Sequence, residues 1–239
     1  RPDITINLEG AGENITVSLD EDPLAPKAHL LVSELMVLTN AALAAWAKEH
    51  GVTLLHRTQD VAIPKEFSGI WQTPLEIARV VKALAPAVLE TNPRPHAGLG
   101  EAMYAPSTSP LRRYPDMINE TQIISLLRDG KPRWSKEELD TLLPLLNAHL
   151  DAAGQVQRFR PRYWKLLYFK QQGDRWWPAV ITDENDAFVT VNMPKEQMIV
   201  RARRQFFGER THPGQELEIR LGKVHPLQND FQLLETREI

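Results

Sequence analysis

The residues best suited to chemistry lie in one stretch, 104–119, which holds Pro106, Pro110 and Pro115, the hydroxyls of Ser107, Thr108 and Ser109, and the adjacent Arg112 and Arg113. Pro110 suits the first turn of a helix, where its missing N–H costs nothing, and Thr108 or Ser109 is a suitable N-cap. Apolar residues at Ile118, Ile123, Ile124, Leu126 and Leu127 predict the helix that follows. Such a helix mouth gathers free backbone N–H groups, hydroxyls and two forked cations at one point, a combination that favours phosphate. The plainer alternative is a capped helix whose arginines pair with surface carboxylates. Chemistry alone leaves both open.

A second candidate is Glu34. Leu30, Leu31, Leu35, Leu38, Ala42, Ala45 and Trp46 recur at helical spacing over 27–50, and Gly51 supplies the stop. Glu34 has Leu30, Leu31, Val37 and Leu38 three or four positions away, so its carboxylate is expected on or beside the buried face. Burying it is costly unless something pairs with it; a flank position reaching solvent is the ordinary alternative. A third candidate is 156–172. Arg158, Arg160, Arg162, Lys165 and Lys170 alternate there with Phe159, Tyr163, Trp164, Tyr168 and Phe169, and no acidic residue intervenes. Cations with interleaved aromatics suit a single-stranded nucleic acid; a helix packing its rings and solvating its arginines has the same composition. Asp20-Glu21-Asp22 and Asp183-Glu184-Asn185-Asp186 read as a solvated strand end and a strand turn rather than metal clusters.

Composition bounds these readings. With 239 residues and 42% apolar content the chain can build one large domain or two smaller ones around a real core. A net charge of −3 excludes a generally basic coat, so any nucleic-acid contact must be concentrated locally. The absence of cysteine excludes disulfides, thiol catalysis and cysteine-ligated zinc, and fits a cytoplasmic protein among other compartments. No apolar run of membrane-spanning length stands out, so neither an anchor nor a signal peptide is expected. The chain opens at Arg1 without methionine, which reads as part of a longer chain.

The elements that position the candidates follow in order. Alternating runs at 3–9 and 13–19 around Gly10-Ala11-Gly12 predict a β-hairpin, and 52–58 a short strand. Residues 61–69 read as irregular. Thr73-Pro74 caps a helix ending near Leu84, and Pro86, Pro93 and Pro95 make 85–95 a stiff loop. Gly130-Lys131-Pro132 ends the helix after the arginines, and Ser135 with Glu138 forms a capping box for the next. Leu139, Leu142, Leu143, Leu146 and Leu150 stripe that helix, with Pro144 expected to kink it. Past a boundary at 173–175, short strands are predicted near 177–182, 187–192, 197–203, 216–222 and 230–234. Five strands in that length suit a small OB-type barrel, with Arg201, Arg203 and Arg204 as a basic edge. Phe206, Phe207 and Trp176 could stack bases but more often fill such a core.

Several of these motifs carry a family resemblance. Thr108-Ser109-Pro110-Leu111-Arg112-Arg113-Tyr114-Pro115-Asp116 resembles the TSPIRRY-x-D signature of the ribonuclease II and ribonuclease R family, the RNB-domain exoribonucleases. His96-Ala97-Gly98-Leu99-Gly100 and Tyr104 are similar to that family's H-x-GLG…Y lead-in. Residues 32–40 resemble its V-E-E-x-M-(x)₃-N helix, with Ser33 in place of the first acidic residue, and 54–57 its LYR-x-H strand. Residues 213–219 resemble the PGQ-x-V-x-V phrase of ribosomal-protein-type OB domains. Two departures stand out: the segment before His96 is shortened or recast, and Glu120 replaces the usual histidine after the signature's Asn119.

The resemblance implies an α+β fold, with the C-terminal part of an RNB domain at 1–172 and an OB-type RNA-binding barrel at 173–239. It implies removal of nucleotides one at a time from the three-prime end of single-stranded RNA, releasing five-prime monophosphates. Arg112 would clamp the phosphate near the cleaved bond and Glu34 would hold the terminal nucleotide. Ser109, Arg113 and Tyr114 would contact RNA beside them, Tyr114 and Asp116 also bracing Arg112. Arg162 and Lys165, on a helix that is primarily structural, and Arg201 and Arg203 on the barrel would extend the RNA contact. Mg2+ would be held by an aspartate cluster expected ahead of residue 1, leaving no metal ligand in this chain and making the N-terminal half of the same protein a required partner. The competing reading is a non-catalytic RNA-binding or regulatory protein on the same scaffold, which Glu120 favours slightly. A hydrolase using paired carboxylates has only Glu34 to offer.

Overall fold

The computed structural model describes residues 4–21, 26–67, 73–208 and 210–239. In chain order it contains β1 (Ile4–Glu9), β2 (Thr16–Glu21), α1 (Pro26–Glu49), β3 (His56–Thr58), α2 (Pro74–Ala83), β4 (Val88–Glu90), α3 (Tyr114–Asp129), α4 (Lys136–Gln172), and then β5 (Trp176–Glu184), β6 (Phe188–Met193), β7 (Met198–Arg203), β8 (Glu216–His225) and β9 (Asp230–Glu238). The fold is α+β. Two compact units divide it: one holds β1, β2, most of α2 and everything from Ala153 to Ile239; the other holds α1, β3, β4, α3 and the first half of α4.

In the sheet-bearing unit, the strand order is β7-β6-β5-β8-β9, every neighbour antiparallel. All five strands feed one core, in which Ile181, Val191, Val200, Ile219 and Leu233 meet Leu166 and Phe169 of α4. A sheet whose one face buries residues from both edge strands must curl, and this one does so as a half-barrel. Trp177 is enclosed, with the Phe169 ring edge-on at 4.7 Å. The predicted hairpin is present, β1 pairing with β2 from Ile4–Glu21 to Glu9–Thr16. Gln171 fastens it to the end of α4: its side-chain amide donates to the Ile15 carbonyl (2.6 Å) and accepts from the Val17 N–H (2.9 Å). Asp20 accepts a hydrogen bond from Asn7 across the hairpin; Asp22 lies outside the described residues.

In the helical unit, Ala44, Ala47, Val52, Leu54 and Ala105 form one buried cluster, and Leu55, Ile118, Leu139 and Leu146 a second. Each fully buried leucine or isoleucine contributes roughly 1.5–3 kcal/mol. The Ser135–Glu138 capping box forms as predicted, Ser135 N–H on Glu138 Oε2 (2.8 Å) and Glu138 N–H on Ser135 Oγ (3.2 Å).

Several expectations change. α4 runs without a break through Pro144 and on to Gln172, joining two helices predicted separately. The stiff loop contains β4, antiparallel to β3. The strand predicted over 52–58 is regular only from His56. α1, despite the sequence reading, is long and apolar enough to cross a membrane by length and composition alone; its C-terminal half instead buries Asn40, Ala44 and Ala47 in the protein. Its N-terminal half does not form the expected buried face: Leu30, Leu31, Leu35 and Leu38 are all more than half exposed, and Glu34 is exposed with them. Helical periodicity identifies a stripe but not what covers it.

Candidate nucleic-acid interface

The arginine stretch is held by buried side-chain amides. Asn40, wholly enclosed at the midpoint of α1, donates to the Tyr104 hydroxyl (2.8 Å) and Thr108 Oγ1 (3.3 Å) and accepts from the Ser107 N–H (2.8 Å). Asn119 of α3 accepts from the Leu55 N–H (2.7 Å) and donates to the carbonyls of Leu55 and Pro106 (both 2.9 Å). One turn further on, Gln122 donates to the Thr53 and Trp134 carbonyls and accepts from the Trp134 N–H. Each amide replaces a strand or helix partner for irregular backbone that would otherwise be buried unsatisfied. In the sequence reading Asn40 and Asn119 enter only as motif residues, without a role, and Gln122 does not enter at all. A signal was available, since Ile118, Asn119 and Gln122 share a helical face that has to be buried.

The helix begins four residues beyond its expected start at Pro110. α3 begins at Tyr114, with Arg113 as N-cap and Pro115 in the first turn. Pro110 instead sits in a separate turn, closed by the N–H groups of Arg112 and Arg113 on the Ser109 carbonyl (3.2 and 3.0 Å). The physical reason is Asp116. Its fully buried carboxylate accepts the Ser109 N–H (2.9 Å) and both Nε and Nη2 of Arg113 (3.0 and 2.7 Å) through Oδ2. That network seals the turn against the helix start. Arg113 also reaches Thr108 Oγ1 (3.3 Å).

The two arginines therefore do different work. Arg113 is spent on Asp116, so the expected double cation does not act on one point. Arg112 is exposed beside a fully exposed Leu111 and a half-exposed Tyr114, and among the described residues its guanidinium makes no hydrogen bond or ion pair. Asp116 braces Arg113 rather than Arg112. Glu34 lies six residues before Asn40, about 9 Å along the helix axis and roughly 120° around it. The structure thus ties α1 to the arginine turn through Asn40, and no hydrogen bond joins Glu34 to Arg112.

The lead-in segment is anchored by Gln59. Its side chain donates to the Ala85 carbonyl (2.5 Å) and accepts the Gly98 N–H (2.8 Å). A Cβ at Gly98 would stand 2.6 Å from Gln59 Oε1, so a side chain there must displace the Gln59 amide from its two hydrogen bonds. His96 is buried, and burial followed by the nearby Arg57 charge lowers its pKa. His56 is an ordinary buried strand histidine, pushed down to about 4 by burial against the opposing pull of Glu90. Burial alone would raise Glu90, but hydrogen bonds from Thr58 and Arg94 hold its carboxyl below the usual range. Among the described residues no group of three or more His, Asp or Glu could hold a metal ion. The described side chains therefore offer no Mg2+ site.

Of the remaining candidates, Arg162 donates to the Ile199 carbonyl (3.4 Å) and Lys165 to the Gln197 carbonyl (2.9 Å), so they dock α4 onto the start of β7 and the turn before it. Burial lowers the Arg162 pKa. Arg201 and Arg203 alternate outward on edge strand β7, Arg201 lying 4.5 Å over the Phe188 ring. Phe207 is buried and Phe206 half-buried, as core residues. Arg204 pairs with Glu184 (3.1 Å), which also accepts the Thr211 hydroxyl.

Comparison with known proteins now bears on this geometry. Over 231 residues the chain is 24% identical to an uncharacterized ribonuclease of Synechocystis, covering 94% of this chain and 34% of that one. Over 219 residues it is 26% identical to a chloroplastic/mitochondrial ribonuclease II of Arabidopsis thaliana, covering 88% and 26%. It therefore spans about a third or less of the length of these relatives. Its fold is that of an active-site mutant of the Dss1 exoribonuclease from Candida glabrata, at a TM-score of 0.79 and 22% identity over 95% of this chain and 30% of that one. The RNB domain model matches residues 2–129. A match over that span, more than half of the sequence, makes this chain a member of the RNB-domain family.

Proposed function

We propose that the chain is the RNA-gripping part of an exoribonuclease that hydrolyses single-stranded RNA from its three-prime end and releases nucleoside five-prime monophosphates. The observation that carries this is the division of labour at the arginine turn: Asp116 and the amides of Asn40 and Asn119 fix the turn, while the exposed Arg112 guanidinium has no partner among the described residues. A preorganised, unpaired cation on a rigid turn suits the charge that builds on a phosphate under attack, and a planar fork suits it better than an ammonium. Ser109, Arg113 and Tyr114 would line the strand beside it, and exposed Glu34 would orient the last nucleotide. On this reading residues 173–239 form an OB-type RNA-binding barrel, with Arg201 and Arg203 on its outer face, and residues 1–172 the catalytic part. The metal is Mg2+, held by an aspartate cluster ahead of residue 1, so turnover requires the N-terminal half of the same protein. A cytoplasmic location belongs to the same proposal; the cysteine-free composition is compatible with it and with other compartments.

The test adds Mg2+ and a single-stranded RNA, labelled at its five-prime end, to the complete protein. Stepwise shortening with release of monophosphates supports the reading. Tight binding with intact RNA assigns the chain to the non-catalytic RNA-binding alternative.

A further inference from the structure

Residues 27–38 open α1 after Pro26 and run for about three turns, or about 18 Å. Leu30, Leu31, Val32, Leu35 and Leu38 are each more than half exposed there, yet from Asn40 the same helix is core, with Ala44 and Ala47 enclosed. At about 100° per residue, Leu30 and Val32 stand on nearly opposite sides. Leu31, Leu35 and Leu38 fill the arc between them, and Met36 and Val37 lie on the other arc. Apolar residues therefore surround this half of the helix, with Lys27 and Glu34 its only charges. Among the described residues, none encloses it.

A helix that is apolar all round belongs inside a core, and about twelve residues are too few to hold a helix alone in water. Its occupant is therefore something that surrounds it. A lipid surface is the wrong partner, because helices that lie on one carry a polar face rich in Lys and Arg opposite the apolar one. A second copy related by a two-fold axis covers one patch and leaves the far side wet. A socket of the same polypeptide does enclose it, and these 239 residues span about a third or less of the length of the relatives. Glu34 sets one condition on that socket: a carboxylate among leucines needs a wet cleft or a donor opposite it.

We infer that residues 27–38 are an insertion helix, seated in a socket formed by the part of the same protein outside residues 1–239, and that Glu34 is fixed in place only when the helix is seated. The inference rests on that element of the reading above in which a further part of the same protein completes the catalytic domain. The seated helix also reaches the arginine turn, since Asn40, just beyond it, accepts the Ser107 N–H at 2.8 Å. One rigid element thereby carries both the docking surface and the anchor of the turn that presents Arg112.

The experiment measures thiol protection. Residues 1–239 contain no cysteine, so Leu30→Cys or Val32→Cys places a single reporter among them. Each variant of the complete protein is treated with a maleimide in buffer and in urea, and the modified peptide is quantified by mass spectrometry. Both thiols should react at least about 100-fold more slowly in buffer than in urea. In wild type, where nothing is substituted, the amides of residues 27–38 should exchange with solvent deuterium as slowly as those of 40–47. Fast labelling of either thiol, or fast exchange in wild type, overturns the inference; if monophosphates are still released, the ribonuclease reading stands. Protection lost on dilution as a dimer dissociates overturns it in favour of a second copy. Protection that appears only with vesicles of anionic lipid overturns it in favour of a membrane surface. Slow labelling in a protein that leaves RNA intact supports the socket and overturns the ribonuclease reading alone.

Discussion

The guanidinium of Arg113 lies against one oxygen of the Asp116 carboxylate, with Nη2 at 2.7 Å and Nε at 3.0 Å, while the guanidinium of the preceding residue, Arg112, faces solvent. Adjacent residues of the same type thus fill opposite roles. Asp116 is 1% exposed through its side chain and Arg113 31%.

Removing Arg113 strands a buried carboxylate. Arg113→Ala should cost about 2–4 kcal/mol, whereas Arg112→Ala should change stability by no more than about 0.5 kcal/mol. Urea unfolding of the two variants checks this, and equal losses would contradict the assignment of roles.

Asn119→Ala should be among the most destabilising substitutions in the helical unit, at about 2–4 kcal/mol. It leaves the Leu55 N–H and the Leu55 and Pro106 carbonyls unpaired in the interior. Asn119→Asp keeps the acceptor, loses the donor and should also destabilise. A value near zero for Asn119→Ala in denaturant unfolding would show that water replaces the amide.

Gly98→Ala should cost about 1–3 kcal/mol through its clash with Gln59. Gln59→Ala should remove part of that cost, so that the double variant is less destabilised than the sum of the single ones. A double-mutant cycle by thermal unfolding measures the coupling; strict additivity would mean that Gln59 is not what Gly98 accommodates.

Acid should weaken the fold through β3 and β4. The His56 imidazole drops from 6.5 to about 4 because it is buried. Between these values the unfolded chain binds a proton that the folded chain refuses, so the stability is present above pH 6.5 and lost as pH falls toward about 4. The shift corresponds to on the order of 3 kcal/mol. Glu90, held low by Thr58 and Arg94 despite burial, acts in the same direction, since protonating it in acid removes its advantage. Urea midpoints across this range should fall for wild type and fall less for His56→Asn; identical slopes would exclude His56 as the cause.

Much of this architecture could be read from the residues because local rules decided it. The caps at Thr73–Glu76 and Ser135–Glu138 mark helix starts without outside help, and strict alternation locates the strands of the half-barrel. Errors arose where a distant partner decided. Pro110 and Pro115 both fit a helix start, and the choice falls to Asp116 accepting the Ser109 N–H seven residues back. Val88–Glu90 is a strand only because His56–Thr58 runs beside it. The stripe Leu30–Leu38 has helical spacing, yet spacing carries no information about whether a neighbour covers it. The signature identified the important segment, but which arginine is structural and which is free depended on one buried carboxylate.

The most direct test of the account is turnover of single-stranded RNA by the complete protein carrying Arg112→Ala or Arg112→Lys. Both variants should fold like wild type and release monophosphates about 10²–10³-fold more slowly at saturating Mg2+, lysine restoring little because it lacks the planar fork. Wild-type rates in Arg112→Ala would contradict the claim that the exposed guanidinium grips the reacting phosphate.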